Sequence, residues 1–518
     1  MSRKSQFPTA ANADIALLLE GTFPYVSGGV SSWVNQILQA YPGHRFAIVF
    51  LGSRREDYGD FRYALPPNVV HFEQHYLFDA LHSNIQPAPS RGHPEALAKA
   101  QEFLGALEAH DGSAESRAKV LAAMRSIALE LQPGGSLPLE DFLHSEFAWD
   151  LIRDSYRRHC TDPSFVDFFW TVRIMLQPLW LMARIAHGLI PVRVLHTVST
   201  GYAGFLGGLL HHARGLPLVL SEHGIYTKER QIDLLQSAWI RDNRNIFQRD
   251  PMEVSFFRQM WIRFFDWMGR FCYGAADPII ALYENNRLRQ VADGAAAERT
   301  VSIPNGIRIE RFAPLRTQRS AEVPPVLCLI GRVVPIKDIK TFIRAMRRVV
   351  NRMPRAQAWV AGPTAEDPAY AEECQNLVDS LGLQAHVRFL GMQKVDELLP
   401  KVGVVVLSSI SEALPLVILE AQAAGVPVVS TDVGSCRQLI DGLEPEDQAL
   451  GSCGRVVGIA NPEALADACL ELLSSPAQWQ AASAAGIARV ERYYSDRLLF
   501  ERYRQVYDRA LQQSEEKH

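Results

Sequence analysis

Four side chains in the C-terminal half have the types and spacing to grip a diphosphate and a sugar. Arg332 and Lys337 stand five positions apart in GRVVPIKDIKTF, which begins at Gly331. A guanidinium offers a planar two-pronged fork and an ammonium offers a compact point charge, so the pair suits a diphosphate. A solvated surface pair is the alternative for these two residues taken alone. Glu412 and Glu420 stand eight positions apart in residues 408–430, SSISEALPLVILEAQAAGVPVVS. A double displacement would want two carboxylates about 5 Å apart across one bond. One carboxylate before a helix and one inside it suits an elongated ligand instead. Glu420 can reach two vicinal hydroxyls such as a ribose diol, and Glu412 can accept hydrogen bonds from the hydroxyls of a sugar. The amides around Leu414–Val417, Leu416 among them, sit where a helix N-terminus favours negative phosphate.

These residues need particular elements to hold them. Pro415 can open a helix, Gly425 and Pro427 can close it, and Val428–Ser430 begins a buried strand. Short apolar runs at Val326–Ile330, Ala356–Ala361, Val387–Leu390, Val404–Leu407, Val428–Ser430 and Gly454–Val457 alternate with helical stretches. That rhythm predicts a parallel α/β domain of Rossmann type, with ligands at the C-terminal ends of its strands.

A similar rhythm runs through the N-terminal half, at Asp14–Leu19, Arg45–Leu51, Val69–Phe72, Val192–His196, Leu218–Glu222, Ala276–Tyr283 and Val301–Ile303. After the first of these strands, EGTFPYVSGGV carries a glycine pair before a helical pattern. Such a loop lets backbone approach a ligand, although taken alone a flexible βα turn is the more ordinary reading. It is neither GxGxxG nor a Walker loop. Two strands end in polar clusters, His196–Gly201 and Ser221–Gly224, and for His196 and His223 alike a satisfied structural imidazole stands beside a functional one. Residues 77–165 interrupt the pattern with helices predicted near 94–109, 114–131 and 138–158, an insertion of the cap or substrate-side kind. Aromatic residues at helical spacing in 252–273 predict a core helix, and Pro-rich residues 313–325 predict a linker.

A chain of 518 residues is too long for one ordinary core. A formal charge of −4 argues against a nucleic-acid partner, because phosphate-backbone binding wants a basic surface. The seven cysteines form no CxxC pair, which points to a reducing compartment with no disulfide framework and no cysteine metal site. The N-terminus shows no apolar h-region, and no stretch reads as a membrane span, so a cytoplasmic protein is expected.

The pieces EGTFPYVSGGVSSW, SEHGIYTKER, IPNGI, GRVVPIKD and SEALPLVILEAQAAGVPVV resemble glycosyltransferase family 4, over nearly the whole chain. Within it, the length, the insertion and the N-terminal wording are similar to PelF-type enzymes of Pel exopolysaccharide synthesis. The resemblance implies a GT-B fold, with two Rossmann-like domains facing across a cleft. It places the acceptor-side domain at 1–312 and the donor domain at 313–490, with a terminal helix at 491–518 returning to the first domain. It implies retaining transfer from a UDP-sugar, of glucose or an N-acetylhexosamine, to a growing polysaccharide, with no metal and no cofactor. Membrane-synthase subunits would be the partners, recruiting the enzyme to the inner face of the cytoplasmic membrane. On this resemblance Arg332 and Lys337, beside Gly331, hold the diphosphate, Glu420 the ribose and Glu412 the transferred sugar. Gly29 approaches phosphate or acceptor, His196 lies near the reacting sugar, Asn305 shapes the hinge side, and Gly391–Met392 frames the base. Ala413 departs from the family, where glycine is common. A nucleotide-binding scaffold subunit without its own transfer activity is the competing reading.

Overall fold

The computed structural model describes residues 7–79, 92–108, 113–128, 130–245, 247, 249–250, 253–319 and 322–516. Parts of the expected insertion, core helix and linker (80–91, 109–112, 129, 251–252 and 320–321) lie outside the described residues. The chain divides into two compact units, the first of residues 1–281, 287–301 and 504–518, the second of 282–286 and 302–503.

The first unit is built on β1 (Ile15–Glu20), β2 (Phe46–Gly52), β3 (Val69–Tyr76), β4 (Val194–Thr197), β5 (Leu218–Glu222), β6 (Ile279–Ala281) and β7 (Thr300–Ser302), in the order β3-β2-β1-β4-β5-β6-β7. The ladders from β1 to β6 are parallel, and register sets Leu17 between Ile48 and His196. Strands buried on both faces explain the unbroken apolar runs, as in β2, where every residue is buried. From β1 the chain winds outward to β3, then returns to β4 and winds the other way. The crevice between the ends of β1 and β4 is therefore the switch point where ligands of such sheets bind.

Six helices of the described residues lie between β3 and β4: Pro94–Glu108, Ala114–Ala128, Leu139–His144, Glu146–His159, Phe165–Leu176 and Pro178–Gly188. The helix expected at 138–158 breaks at Ser145, whose side chain caps the second piece by accepting from the Ala148 N–H at 3.1 Å. The helical region also runs past 165, to Gly188. The aromatic helix Phe256–Ala275 buries Phe257, Trp261, Phe264, Trp267 and Phe271 in the core of this unit, with Phe103 and Phe205.

The second unit has six strands, β8 (Val326–Ile330), β9 (Gln357–Ala361), β10 (Val387–Gly391), β11 (Val404–Leu407), β12 (Val428–Thr431) and β13 (Gly454–Val457), in the order β10-β9-β8-β11-β12-β13. All its ladders are parallel. Its switch point falls between β8 and β11.

The expected boundary at 312/313 differs from the observed division. Phe312 and Leu315 are buried in the core of the second unit, and the Arg316 guanidinium donates to Ala423 O at 2.7 Å. The segment read as a linker therefore packs as structure as far as Gln318. Leu282–Asn286 also joins the second unit, through Leu282 and Tyr283 in the same core. At the other end, the helix Asp496–Glu516 belongs to the second unit up to Tyr503 and to the first from Arg504. All seven cysteines are unpaired, and no described helix is long and apolar enough to cross a membrane.

Candidate active site

In the second unit the first strand ends against a neighbouring turn. The Gly331 N–H donates to Ala361 O at 2.9 Å, and a Cβ on Gly362 would fall 1.9 Å from Gly331 O, so only glycine fits there. The chain then makes a tight turn at Pro335–Lys337 and enters the helix Ile339–Arg352 through Asp338, a non-glycine residue held at φ 42°. Asp338 tolerates that left-handed conformation while its side chain caps the helix at the Thr341 N–H.

Two hydrogen bonds tie this turn to the loop after β11. Ser408 Oγ donates to Lys337 O at 2.9 Å, and the Ile410 N–H donates to Ile336 O at 2.8 Å. They bring Lys337 Nζ to 2.5 Å from Glu412 Oε1, and Ser409 Oγ donates to the same oxygen at 2.6 Å. The Glu412 loop is braced from behind by the turn after β12. There the Ser435 N–H reaches Ala413 O at 2.9 Å, and a Cβ on Gly434, at φ 55°, would meet Glu412 O at 2.2 Å. Ala413 contributes its carbonyl to this brace and packs its methyl group on the core.

Glu420 sits in the helix Leu416–Ala423, which Pro415 opens. Its carboxyl group is half-buried and makes no hydrogen bond to a described residue. Burial pushes its pKa up, and the nearby charges of Arg311 and Asp396 act in opposite directions. A partly desolvated carboxylate without a donor leaves hydrogen-bonding capacity unmet.

The remaining predicted donor residues are placed as follows. Arg332 is exposed and paired with Glu366 at 2.5 Å. Leu416 begins the Glu420 helix, and Met392 is an exposed side chain after β10. Asn305 has a buried Oδ1 with no partner, in a turn that docks on the start of the terminal helix, where a Cβ on Gly306 would meet Ser495 O at 2.4 Å. Gly29 lies in the first unit, as the first residue of the helix Gly29–Ala40, and a Cβ placed on it would have nothing within 4 Å. No steric demand for glycine exists there.

His196 is corrected. It is paired inside β4 with Leu17 and Val219 on either side and is wholly buried. Its Nδ1 meets Tyr507 Oη and its Nε2 meets Ser221 Oγ, each at 2.8 Å. Burial, with the neighbouring His223, holds its pKa down to about 3, so it is a neutral ring tying β4 and β5 to the terminal helix. A group with both nitrogens engaged cannot also serve a reacting sugar.

His223 differs from His196 in register. It is the first residue past β5, packs edge-on against Trp33 at 4.8 Å, and burial holds its pKa down to about 4. Its Nε2 is buried and has no partner. It lines a cavity of about 510 Å³ at the switch point of the first sheet, together with Glu20, Ser199, Tyr226 and Arg230. Tyr226 Oη donates to Glu20 Oε1 at 2.9 Å, and Arg230 Nε donates to Tyr226 Oη at 3.1 Å. Glu222, one residue before His223, accepts from Tyr273 Oη at 2.8 Å, Gln290 Nε2 at 3.0 Å, the Tyr226 N–H at 3.1 Å and Thr200 Oγ1 at 3.2 Å. Burial nevertheless pushes its pKa up against these donors. Glu20 carried a readable signal, a carboxylate closing an apolar strand. Tyr226 and Arg230 lie within SEHGIYTKER, but nothing in their type or spacing marked them as lining a site. Among the described residues no group of three or more His, Cys, Asp or Glu side chains could hold a metal ion.

Residues 13–298 match the family described as Domain of unknown function (DUF3492), and residues 324–475 match Glycosyl transferases group 1. Among curated proteins, a D-inositol 3-phosphate glycosyltransferase of Corynebacterium jeikeium is 31% identical over 171 residues, 28% of this chain and 41% of the relative. One from Kineococcus radiotolerans is 29% identical over 259 residues, 46% of this chain and 58% of the relative. The chain thus spans about two-fifths to three-fifths of the length of such relatives. Among solved structures, Anabaena HepE in complex with UDP superposes with a TM-score of 0.56 at 16% identity, over 96% of this chain and 99% of that one. The sucrose-phosphate synthase of Thermosynechococcus elongatus gives 0.55 at 17% identity, over 96% and 98%. Two parallel Rossmann-like α/β units on this pattern make the fold GT-B.

Proposed function

Because the chain belongs to the family described as Domain of unknown function (DUF3492) and carries a glycosyl transferases group 1 domain, we propose that it is a retaining glycosyltransferase of family 4. It takes a UDP-sugar and extends an exopolysaccharide, as the resemblance to PelF-type enzymes suggests. The observation that carries the reading is the convergence of Lys337 on Glu412 at the ends of β8 and β11, beside the helix that holds the unpartnered Glu420.

In this mechanism the C1–O bond between sugar and diphosphate breaks, and a bond forms between C1 and an acceptor oxygen on the same face. Positive charge develops at C1 and negative charge on the departing diphosphate. Lys337, Arg332 and the amides opening the Glu420 helix stabilise the diphosphate, so no metal is called for. Its leaving oxygen takes the acceptor proton. The products are UDP and a glycan longer by one residue. Glu420 holds the ribose diol, and Glu412 positions the sugar hydroxyls. UDP is the nucleotide held by HepE, whose fold this chain shares. The enzyme works on the cytoplasmic side, brought to the membrane by synthase subunits.

The test is nucleotide release from a panel of UDP- and GDP-sugars, with calorimetry on UDP and GDP. Release of UDP from one UDP-hexose or UDP-N-acetylhexosamine, abolished in Lys337→Ala, supports the proposal. UDP binding with no turnover, even with membrane partners present, favours the scaffold reading.

A further inference from the structure

The first unit holds another cavity, of about 420 Å³, away from the strand-end crevice. Its walls come mainly from four helices, Ala114–Ala128, Pro178–Gly188, Tyr202–Arg214 and Phe256–Ala275. The last three lead back into the sheet at the starts of β4, β5 and β6. His211 marks the place, because its Nδ1 donates to Leu216 O at 2.8 Å, just before β5 begins. The cavity therefore lies at the end of the sheet opposite the switch point.

Its polar groups carry one sign of charge or none. Arg125, Gln132, His211 and His212 line it, and among its described lining residues there is no Asp or Glu. No hydrogen bond or ion pair with a described residue engages the side chain of Arg125, Gln132 or His212. Burial, with Arg125 and His211 beside it, holds the His212 pKa down to about 4. The ionisable groups that act on this ring are thus both basic. A helix's carbonyl end accounts for a cation in its own last turn. It does not account for two helices bringing basic groups to one hollow with no carboxylate between them. Such a hollow carries a positive field that an anion completes.

The walls narrow the ligand further. Ala186, Leu209 and Phe271 are apolar, and the Phe271 ring stands 5.3 Å from that of His212. The volume is that of a site for a small organic molecule. A guanidinium presents its fork to phosphate oxygens, and a neutral imidazole and an amide add donors beside it. An aromatic face suits a flat apolar body.

We propose that this cavity binds a small organic phosphate, with the phosphate on Arg125 and His212 and a flat apolar body against Phe271. The site stands apart from the transfer chemistry, and no step of that chemistry is needed for it.

The test uses the full chain and 1-naphthyl phosphate as the probe, with 1-naphthol and inorganic phosphate as its two halves. Calorimetry and the thermal midpoint follow binding to wild type, Arg125→Ala, Arg125→Lys, Ala213→Trp and Lys337→Ala. Ala213 is an exposed lining residue, so an indole there fills the cavity without disturbing the core. The expected result is that the ester binds and raises the midpoint, while each half binds about tenfold or more weakly. Arg125→Ala and Ala213→Trp each weaken the ester by about tenfold or more, and Arg125→Lys, which keeps the charge, weakens it less. Lys337→Ala, in the second unit, leaves ester binding unchanged and so separates this site from the diphosphate turn. No binding of the ester, equal binding of either half, full affinity in Arg125→Ala, or loss of binding in Lys337→Ala would overturn the inference.

Discussion

Lys337 and Glu412, 75 positions apart in sequence, meet as an ion pair of 2.5 Å between the turns that follow β8 and β11. The pair is mostly buried, with side-chain exposures of 22% and 12%. It holds the turn of Lys337 against the loop of Glu412. Lys337→Ala removes a positioned cation and leaves the Glu412 carboxylate with Ser409 alone. Removing one such preorganised donor costs roughly 10²–10³ in rate. Single-turnover UDP release measures this loss, with an unchanged circular dichroism spectrum as the fold control. Wild-type turnover in this variant would end the assignment.

Arg332 behaves differently, because its partner is a competitor. The exposed Glu366 holds the guanidinium at 2.5 Å, and a diphosphate has to displace that contact. An exposed pair of this kind is weak and screened. Glu366→Gln is therefore expected to tighten UDP binding by roughly two- to fivefold. Calorimetry at low and physiological salt checks it, and the gain should shrink as salt rises. Weaker binding in Glu366→Gln would mean that the carboxylate orients the arginine for the ligand instead of competing for it.

Glu420 gives the site a pH signature. Its pKa is raised by burial, and a ribose diol donates best to the ionised form. Nucleotide affinity should be full above the raised pKa and fall as pH drops through it, at a pH above the usual carboxylate range. Glu420→Gln lowers affinity at neutral pH and flattens the profile. UDP dissociation constants from pH 5 to 8 on both proteins, in one buffer series, carry the test. Parallel profiles would remove Glu420 from the ribose.

How much of this was legible in the sequence depends on where each residue's partners lie. Val326–Ile330, Leu218–Glu222, Val404–Leu407 and Gly454–Val457 match the observed strands, because parallel strands covered on both faces must be apolar along their length. Glu412 before a helix and Glu420 within it follow from Pro415 and Gly425, which act locally. His196 and His223 could not be separated in that way. Both stand in polar clusters near strand ends, and the difference is one of register. His196 is still inside its ladder, and the hydroxyl that saturates it belongs to Tyr507, 311 positions away. The linker reading failed for the same reason. Phe312 and Leu315 look like isolated apolar residues in a Pro-rich stretch until the core that receives them is assembled.

The two histidines should therefore separate by kinetics and stability. His223→Asn removes an unpartnered nitrogen facing the cavity and breaks no hydrogen bond, so transfer falls by roughly 10²–10³ while the unfolding midpoint moves less than in His196→Asn. His196→Asn, with two ring bonds and packing against Trp33 and Tyr507 at stake, loses stability by about 1–3 kcal/mol and keeps most of its rate per folded molecule. Turnover and thermal midpoints on the two variants decide between these roles, and the reverse pattern would restore His196 to the reaction.

The same burial gives the first unit an acid-sensitive interior, with a sign that can be worked out. His196 and His223 have their pKa values held down to about 3 and about 4, from an ordinary value of 6.5. Between those limits the unfolded chain binds protons that the folded chain refuses, so stability is full above pH 6.5 and falls as pH drops toward 4. Each group contributes roughly 1.4 kcal/mol per pH unit across its own window. In His196→Asn one of the two groups is gone, so the variant should lose less than wild type on acidification. Thermal midpoints at pH 7.5, 6.5, 5.5 and 4.5 are the measurement, with the variant below wild type at neutral pH and the gap closing toward acid. A gap that stays constant, or widens, would show that His196 is protonated in the folded chain, and the neutral link between β4 and Tyr507 would have to be given up.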